Sequence, residues 1–349
     1  MLGFIGLGGV VETAYLPALR RLLPAGVPLW GFDADPARQL AGIERLPTQD
    51  ALLAKPLAAL FITTPPASHW TVLRQALASP VPCILVEKPL VATLAEIDAL
   101  QSTLADGHDR GRVLALDHWA VRVEGIRDLL DSLPPECRQA AHGPLARIEG
   151  YLEEPSGLDE LGVPCALNFA TGAPDRRQLR HPDGVVLDTG THVLALLREC
   201  MALLGQALDL QLTLATMNDR RDVPIAPGDH QTAEGRASLQ GRLGGVPVSI
   251  RLDKYAGVAG GRKGLTLYGE QGWQLSLDRQ GDEDRIVWQQ GAQRVSLRRP
   301  GAIYGHALAE VLGVSGGLDA AQRQAMTARR LEEVRLLLQL QQDWRGEPT

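Results

Sequence analysis

The sequence predicts a two-domain α/β protein, with a parallel sheet in the N-terminal domain and an open, mainly antiparallel sheet in the C-terminal α/β domain. The chain has 349 residues, a length that suits two hydrophobic cores better than one. Up to about residue 130, continuous apolar strands alternate with helical patterns, as in a parallel sheet covered by helices on both faces. After about residue 205, strands of alternating apolar and polar residues are joined by turn residues, as in an antiparallel meander.

The composition is that of an ordinary globular protein, with 45% apolar and 22% charged residues. A formal net charge of -6 argues against non-specific nucleic-acid binding, which needs a basic surface. No apolar run is long enough to span a membrane, and the N-terminus lacks the basic region and cleavage site of a secretory signal. We therefore expect a reducing, cytoplasmic location and no metal site, because the scattered cysteines form no metal-ligand spacing. These cysteines are Cys83, Cys137, Cys165 and Cys200.

The N-terminal half begins with the strand "LGFIGLG", which is followed by a predicted helix over "VETAYLPALRRLL". Pro17 lies inside that helix, where it should kink or delay it. Further strands are predicted at "PLWGFD", "LAALFITT", "CILVE" and "RVLALD". Helices are predicted from about Ser68 to Leu77 and over "TLAEIDALQSTLA".

The C-terminal half contains the apolar run "DGVVLDTGTHVLALLREC", in which Asp188 and His192 stand four residues apart. If this run is helical, both side chains lie one turn apart on the same face. The preceding residues 155–182 have no clear period, and a loop this long is often functional. Whether that segment orders only on substrate binding is left open by the sequence. A helical pattern from about Asp319 to Trp344 closes the chain.

The stretch "GFIGLGGVVETA" places Gly6, Gly8 and Val11 at the positions of the dinucleotide fingerprint G-x-G-x-x-(G/A). It follows a strand and opens a helix, so the glycines can permit a tight turn and a close backbone approach to a pyrophosphate at the helix N-terminus. Val11 departs from the pattern, because the third position usually holds a small residue. We expect a Rossmann dinucleotide-binding domain whose loop, with Gly9 and Val10, contacts the cofactor.

Asp33 stands at the end of the second predicted strand, in "GFDADPAR". A carboxylate there can accept hydrogen bonds from the adenosine ribose hydroxyls and would repel a 2′-phosphate, which favours NAD. Arg38 keeps NADP open, since its guanidinium could reach a phosphate or could equally pair with Asp33 or Asp35. The predicted cofactor is therefore NAD, with NADP as the alternative.

The buried strand in "PCILVEKPL" ends with Glu87, Lys88 and Pro89. The residue before a proline is held in an extended conformation. Lys88 is therefore expected at the carboxyl end of a parallel strand, along the edge where open α/β sheets bind ligands. Taken alone, this motif could equally be a solvated turn.

Taken together, these motifs resemble the Gfo/Idh/MocA (glucose–fructose oxidoreductase / inositol 2-dehydrogenase) family of oxidoreductases. The matching stretches stand in the family's order over nearly the whole chain: "GFIGLGGVVETAYLPAL", "FDADPAR", "ITTPPASHWTVLRQAL", "VEKPLVATLAEIDAL", "GVVLDTGTHVLAL" and "LTLYGEQGWQLSL". The resemblance implies a Rossmann domain over residues 1–120 and a substrate-binding and oligomerisation domain over residues 121–349. It also implies a homodimer or homotetramer formed through the C-terminal sheet. It accounts for Pro17, because the family usually has a proline in its first helix.

Carried over by motif, Lys88 matches the lysine of the family's E-K-P signature, and Asp188 and His192 match its D-x-G-x-H motif. These residues form the catalytic group in the dehydrogenase members. Oxidation of a secondary alcohol needs a base for the hydroxyl proton, and imidazole, with a pKa of about 6.5, suits neutral pH. Asp188 could orient His192, and Lys88 could stabilise the developing alkoxide. The resemblance further implies cofactor contacts by Thr64, Pro65, His69, Glu87 and Lys88.

The resemblance implies a small-molecule substrate, namely a sugar, sugar derivative or cyclitol, and neither a nucleic acid nor a membrane as partner. Arg176 and Arg180 precede the catalytic run, and we expect an arginine there to meet an anionic or polyhydroxylated substrate. Each arginine alone could equally belong to a solvated loop. His118 and Trp119 stand where an arginine is common in the family, and they either line the site or are ordinary strand-end residues.

Two other functions are open at this stage. Some family members are glycosidases that use tightly bound NAD for a transient oxidation, and others are sensors that bind a dinucleotide without turnover. The joint presence of Lys88, Asp188 and His192 argues against a sensor, because a sensor needs no proton relay. Asp183 and Pro66 depart from the glycine and asparagine usual in the family.

Overall fold

The computed structural model describes residues 1–105, 107, 109–167, 172–175, 179–313 and 318–346. The strands in chain order are β1 (Leu2–Ile5), β2 (Leu29–Phe32), β3 (Glu44–Arg45), β4 (Ala59–Ile62), β5 (Ile84–Glu87), β6 (Val113–Leu116), β7 (Leu145–Glu153), β8 (Ser156–Leu158), β9 (Pro164–Ala166), β10 (Leu210–Asn218), β11 (Arg236–Leu243), β12 (Val246–Asp253), β13 (Lys263–Gly269), β14 (Trp273–Gln280), β15 (Glu283–Gln290) and β16 (Gln293–Pro300). The α-helices are α1 (Leu16–Leu22), α2 (Gln49–Leu53), α3 (Pro66–Leu77), α4 (Leu94–Ala105), α5 (Val123–Ser132), α6 (Pro135–Ala141), α7 (Val185–Asp188), α8 (Gly190–Leu203), α9 (Ile303–Val311) and α10 (Ala320–Arg345).

The chain forms two compact units, the first made of Met1–His118 with Tyr304–Arg335 and the second of Trp119–Ile303 with Leu336–Thr349. The sequence had assigned residues 121–349 to a single domain, whereas Tyr304–Arg335 groups with the first unit. Thr327 shows why, since its hydroxyl donates to the Val113 carbonyl at 2.8 Å and accepts from an amide of the same strand, β6.

The sheet of the first unit has the strand order β3-β2-β1-β4-β5-β6, and each neighbouring pair is parallel. Strands β1, β4, β5 and β6 are buried along their whole length, which is why their sequences are continuous apolar runs. This order is that of a doubly wound Rossmann sheet, whose ligands bind at the carboxyl ends of the strands. The predicted fold of the N-terminal half is confirmed.

The helix that follows β1 contains a π-helical turn over Val11–Tyr15 before α1 begins at Leu16. Pro17 therefore follows the π-helical turn directly and lies within a helix that continues without a break. The sequence predicted that Pro17 would kink or delay the helix, and the π-helical turn is the form that this disturbance takes.

The large sheet of the second unit has the order β10-β11-β12-β7-β13-β14-β15-β16. Its pairs are antiparallel except β12–β7, so the predicted open, mainly antiparallel sheet is confirmed. Its apolar face packs on α8, and Gly150 of β7 lies so close that a Cβ there would be 2.6 Å from Val193. The opposite face of β11 and β12 is polar and exposed at alternate residues.

The closing helix α10 runs over nearly the predicted span, and its apolar residues Leu331, Val334 and Leu338 are buried along one stripe. Within the described ranges, no helix combines the length and the apolar character needed to cross a membrane.

Candidate active site

The glycine-rich loop after β1 leaves its backbone open to a ligand. Gly6 has φ +96, and a Cβ there would lie 2.8 Å from the Thr63 carbonyl group, so this position requires glycine. The Thr63 hydroxyl also donates to the Gly6 carbonyl at 2.7 Å, which ties the loop to the end of β4. A Cβ at Gly8 or Gly9 would meet nothing within 4 Å. The side-chain space above these two residues is therefore available to a bound molecule.

Asp33 supports this loop from the end of β2. Its Oδ2 accepts from the Leu7 amide at 2.6 Å and its Oδ1 from the Asp35 amide at 2.9 Å. Arg38 is exposed, with its Nε 4.0 Å from the Asp35 carboxylate. Arg45, which the sequence did not single out, donates to the Asp33 carbonyl at 3.0 Å, and its Nε has no partner among the described residues. This edge of the sheet therefore carries the carboxylates of Asp33 and Asp35 beside the guanidinium groups of Arg38 and Arg45.

His69 joins the ends of two neighbouring strands. Its Nε2 lies 2.7 Å from the Thr64 carbonyl oxygen and its Nδ1 lies 2.8 Å from the Pro89 carbonyl oxygen, and the side chain is fully buried. Burial lowers the pKa of His69, although both carbonyl groups oppose that shift. The Thr64 hydroxyl is buried without a hydrogen-bond partner in the described part of the chain. A buried hydroxyl of this kind suits a ligand that can hydrogen-bond to it.

Lys88 follows β5 and is tied to the helix after the glycine-rich loop. The Tyr15 hydroxyl, on the π-helical turn, donates to Glu87 Oε1 at 2.5 Å, and Glu87 Oε2 accepts from the Lys88 amide at 3.1 Å. Burial and the Glu87 carboxylate raise the pKa of Tyr15 well above its ordinary value, so the phenol stays a donor. The Lys88–Pro89 peptide is cis.

Tyr304 is a further aromatic residue of the first unit that the sequence did not indicate. Its ring contacts the Tyr15 ring edge-on, with centroids 5.4 Å apart, and stacks on His118 with centroids 4.1 Å apart. His118 follows β6 closely and belongs to the first unit, whereas the second unit begins at Trp119. The chain segment that returns at residue 304 thus packs beside the predicted site residues of the first unit.

Asp188 and His192 lie on two successive helices, the short α7 and the longer α8, rather than on one continuous helix. Helix α7 ends at Asp188, and α8 begins again at Gly190 after Thr189. The Thr189 hydroxyl donates to the Val185 carbonyl at 2.8 Å, a local hydrogen bond of the kind that disturbs helices at Ser and Thr. Both predicted residues therefore sit at a helix boundary, Asp188 at an end and His192 in the first turn.

The start of α7 is fixed by a buried ion pair. Glu234 and Arg345 pair with both side chains fully buried, and the Glu234 carbonyl accepts from the Val185 amide at 2.9 Å. A Cβ on Gly184 would lie 1.8 Å from Glu234 Oε2, so no larger residue fits there. Arg345 lies at the end of α10, so the closing helix helps to position the helix that carries Asp188.

Lys254 is the main residue that the sequence analysis missed. Its ammonium group pairs with the Asp188 carboxylate and lies 3.6 Å from Glu154 Oε2. Burial opposes the charged form, but the carboxylates of Asp188 and Glu154 outweigh it and raise the pKa of Lys254 above its ordinary value. A signal was present, because Lys254 continues the buried alternation of β12, where an apolar residue would be expected.

His192 stacks on Trp119, with ring centroids 5.7 Å apart and an interplanar angle of 17°. The Arg122 guanidinium carbon lies 4.3 Å from the centroid of the Trp119 ring. Arg122 is itself buried and paired with Asp284, its Nη2 lying 3.0 Å from Oδ1. The imidazole plane is thus supported by an aromatic ring that a fixed cation holds in turn.

The predicted irregular segment 155–182 is partly regular, since β8 and β9 pair within it. Arg176 lies outside the described residues. Arg180 is exposed and forms an isolated bridge with Thr232. The structure therefore brings Asp188, His192, Trp119 and Lys254 into one unit, and Lys88 with the glycine-rich loop into the other.

Comparison with known proteins agrees with this architecture. Residues 2–114 match the family described as "Oxidoreductase family, NAD-binding Rossmann fold" (GFO_IDH_MocA). The protein YceM of Salmonella typhimurium is 33% identical over 109 residues, which are 30% of this chain and 34% of that protein. The match thus spans about a third of the length of this curated relative. The description of the matched family as NAD-binding agrees with the predicted cofactor NAD.

Solved structures resemble the chain over nearly its full length. A UDP-N-acetylglucosamine 3-dehydrogenase from Acidithiobacillus ferrooxidans superposes with a TM-score of 0.63 and 18% identity, covering 97% of this chain and 98% of its own. A 3-ketoreductase from Actinomadura kijaniata, solved with NADP and TDP-benzene, superposes with a TM-score of 0.62 and 17% identity, covering 96% and 95%. At these identities the likeness shows that the two-part fold is shared.

Proposed function

We propose that the chain, whose residues 2–114 match the Gfo/Idh/MocA oxidoreductase family, is a member of that family and transfers hydride between NAD(P) and a CH–OH group of a small polyhydroxylated substrate. The substrate class that we propose is a sugar, a sugar derivative or a cyclitol. The observation that carries the proposal is the anchoring of Lys88. Its amide is held by Glu87, and Glu87 is held by Tyr15, which stands on the helix that opens from the glycine-rich loop.

The dinucleotide fits the residues that are present. The open backbone at Gly8 and Gly9 would admit the pyrophosphate, and the buried, unpartnered Thr64 hydroxyl would donate to the cofactor. Pro65 and His69 would act by shaping this strand end, since the His69 ring lies between the Thr64 and Pro89 carbonyls and donates to one of them. When bound, the nicotinamide supplies the carbon that accepts or returns a hydride.

The NAD form is favoured by Asp33, because a carboxylate accepts hydrogen bonds from ribose hydroxyls and repels a 2′-phosphate. Arg38 and Arg45 supply the positive charge that NADP would need, which is why the alternative stays part of the proposal. The balance between the carboxylate and the two guanidinium groups would set the preference.

His192 is the residue that we propose as the base. In the oxidation direction His192 would take the proton of the substrate hydroxyl as the carbinol carbon is oxidised to a ketone, and the imidazole would become an imidazolium. Asp188 would stabilise that imidazolium from the adjoining helix end. The Lys88 ammonium would stabilise negative charge that develops on the reacting oxygen. The reverse reaction uses the same groups with the proton returned.

Substrate contacts are proposed for His118, Trp119, Arg176 and Arg180. Guanidinium groups suit phosphate or carboxylate groups, and the exposed Arg180 is the described residue best placed to meet such a group from solvent. The two solved structures above are a UDP-N-acetylglucosamine 3-dehydrogenase and a 3-ketoreductase, so sugar nucleotides belong in the substrate panel beside free sugars and cyclitols.

The open polar face of β11 and β12 would form a homodimer or homotetramer contact, and light scattering would measure the oligomeric state.

The test is a spectrophotometric screen of the purified protein with NAD and with NADP against myo-inositol, hexoses and UDP-N-acetylglucosamine. We expect reduced nicotinamide to appear with at least one substrate, and the variants His192→Asn and Lys88→Met to lose about 100-fold or more in kcat. The variant His142→Asn, which alters an exposed histidine, is the matched control and should keep full rate. Dinucleotide binding without turnover on the whole panel would instead favour a sensor. Release of aryl aglycone from aryl glycosides without added cofactor would favour an NAD-dependent glycosidase.

A further inference from the structure

We propose that Lys254 is a positioning residue that acts through Asp188, holding its carboxylate ionised and fixed so that His192 alone serves as the base. The proposal rests on the proposed function, because it assigns a role within the same reaction. It adds to the three motif residues a fourth charged group that no motif indicates.

The backbone places Lys254 firmly. It follows β12 directly, and its amide donates to the Gly235 carbonyl at 2.9 Å, so the strand pairing extends to this residue. Apolar side chains occupy the buried positions of β12 before it, at Val246, Val248, Ile250 and Leu252. Lys254 takes the next buried position, at 8% exposure. A lysine is rarely buried to this extent unless a counter-charge accompanies it.

The counter-charges are both identified. The Lys254 ammonium donates to Asp188 Oδ2 and lies 3.6 Å from Glu154 Oε2. The lysine side chain is 10% exposed, whereas the carboxylates are 31% and 34% exposed, so the buried cation depends on the two more accessible anions. Tyr255, the next residue in the chain, is the remaining titratable group that influences this ammonium. Removing the charge of Asp188 would leave the buried Lys254 ammonium without its nearer counter-charge.

This asymmetry decides which residue of the D-x-G-x-H motif can accept a proton. Protonating Asp188 would remove the principal counter-charge of a buried ammonium, which is costly in a low-dielectric environment. Asp188 is therefore held as an anion throughout the reaction, and its role is to orient and to stabilise rather than to take the proton. The proton acceptor is then His192, four residues further along the chain.

The structure also offers a well-matched set of variants. Lysine occurs only at positions 55, 88, 254 and 263, so selectively labelled lysine gives few and separable signals. Lys263 lies in the same unit and is half-buried, which makes Lys263→Met the control for removing a lysine without touching Asp188. Lys254→Arg keeps the charge, and the double variant Lys254→Met/Asp188→Asn replaces the pair by two neutral groups.

The experiment measures kcat and KM, on the best substrate of the panel with NAD, for wild type, K254M, K254R, K263M, D188N and K254M/D188N. We expect K254M to lose about 10- to 100-fold in kcat with KM changed less than about threefold, because the reacting groups are misplaced rather than the substrate lost. K254R should recover most of that loss, and K263M should match wild type. The double variant should be no slower than D188N, because Lys254 acts only through Asp188.

The proposal is overturned if K254M keeps the wild-type kcat, or if the double variant shows the product of the two single losses. Failure of the proposed function has a different signature, namely no turnover by wild type or an unimpaired His192→Asn.

The ion pair itself is checked without substrate by following lysine side-chain resonances of the purified protein through a pH titration. Lys254 should deprotonate at a clearly lower pH in D188N than in wild type. An unchanged Lys254 titration in D188N would also overturn the proposal.

Discussion

The Trp119 indole lies nearly parallel to the His192 imidazole, at 17° and with 5.7 Å between the ring centroids. Trp119 is buried, and the Arg122 guanidinium carbon lies 4.3 Å from the centroid of its ring. The contact gives Trp119 a role in orienting the proposed base, in addition to the substrate contact proposed for it. Aromatic pairs of this kind contribute about 0.5–1.5 kcal/mol beyond their burial.

Replacement of Trp119 tests this support. We expect Trp119→Phe to keep kcat within about threefold and Trp119→Ala to lower it about 10-fold, since a freed imidazole is less often in the productive orientation. The rates are measured on the best substrate of the panel. The affinity for the dinucleotide is measured as a control that the first unit is unaffected. Equal rates for the two variants would show that the stack does not orient His192.

The variant Gly8→Ala separates ligand binding from stability. A Cβ at Gly8 meets no protein atom within 4 Å, so the midpoint of thermal unfolding should not fall. The methyl group would occupy the space that we propose for the pyrophosphate. We therefore expect the Kd for NAD to rise about 10-fold, which is a loss of about 1.4 kcal/mol in binding free energy. Fluorescence titration with NAD gives the affinity. An unchanged affinity would place the dinucleotide elsewhere.

The variant Asp33→Asn tests cofactor preference. An amide no longer repels a 2′-phosphate and accepts ribose hydrogen bonds more weakly, so we expect NAD affinity to fall about 10-fold and NADP affinity to rise. Arg38→Ala and Arg45→Ala should act in the opposite sense, weakening NADP more than NAD. The controls are Asp98→Asn and Arg127→Ala, which alter exposed charges on α4 and α5. Parallel changes for both dinucleotides would argue that Asp33 only supports the loop.

The buried Arg122–Asp284 pair tests the stability of the second unit. Arg122→Met leaves Asp284 buried, and breaking such a pair costs about 3–5 kcal/mol. Because Arg279 also lies 3.4 Å from Asp284, we expect about 3 kcal/mol, measured by urea unfolding. The exposed pair Arg127–Glu124 is the matched control, and Arg127→Ala should cost less than about 1 kcal/mol. Similar costs for both variants would contradict the burial of Arg122.

The buried His69 gives a pH dependence of stability. Its pKa in the folded protein is lowered from 6.5, chiefly by burial. Above pH 6.5 the ring is neutral in both the unfolded and the folded protein. Below pH 6.5 the unfolded chain takes up the proton first, so the free energy of unfolding falls until the pH reaches the lowered pKa of the folded protein. The stability advantage of wild type over His69→Gln should therefore shrink as the pH falls from 7 to 5. A constant advantage for wild type over His69→Gln across this pH range would contradict the assignment.

The strands and helices that have a regular apolar pattern in the sequence were predictable. The strands of the first unit are buried on both faces, which the sequence shows directly as continuous apolar runs, and the closing helix has a clear apolar stripe. The position of β7 was not predictable, because it pairs in parallel with β12 in the middle of the sheet although many residues separate them. Tyr304 likewise returns to the first unit from a distant part of the chain.

The candidate site was predictable where a motif is local. The spacing of Gly6 and Gly8, and the run that contains Asp188 and His192, are visible in a few consecutive residues. The partner of Asp188 is Lys254, 66 positions away, and the partner of Glu87 is Tyr15, 72 positions away. Such pairs arise from tertiary packing, so residue spacing alone does not show them.

The most direct test of the central claim is transfer of deuterium from a substrate deuterated at its carbinol carbon to the nicotinamide ring, followed by mass spectrometry of the dinucleotide. For wild type we predict one deuterium in each reduced dinucleotide formed, and for His192→Asn a rate lower by about 100-fold with NAD still bound. Reduced dinucleotide without deuterium, or an undiminished rate in His192→Asn, would contradict hydride transfer with His192 as the base.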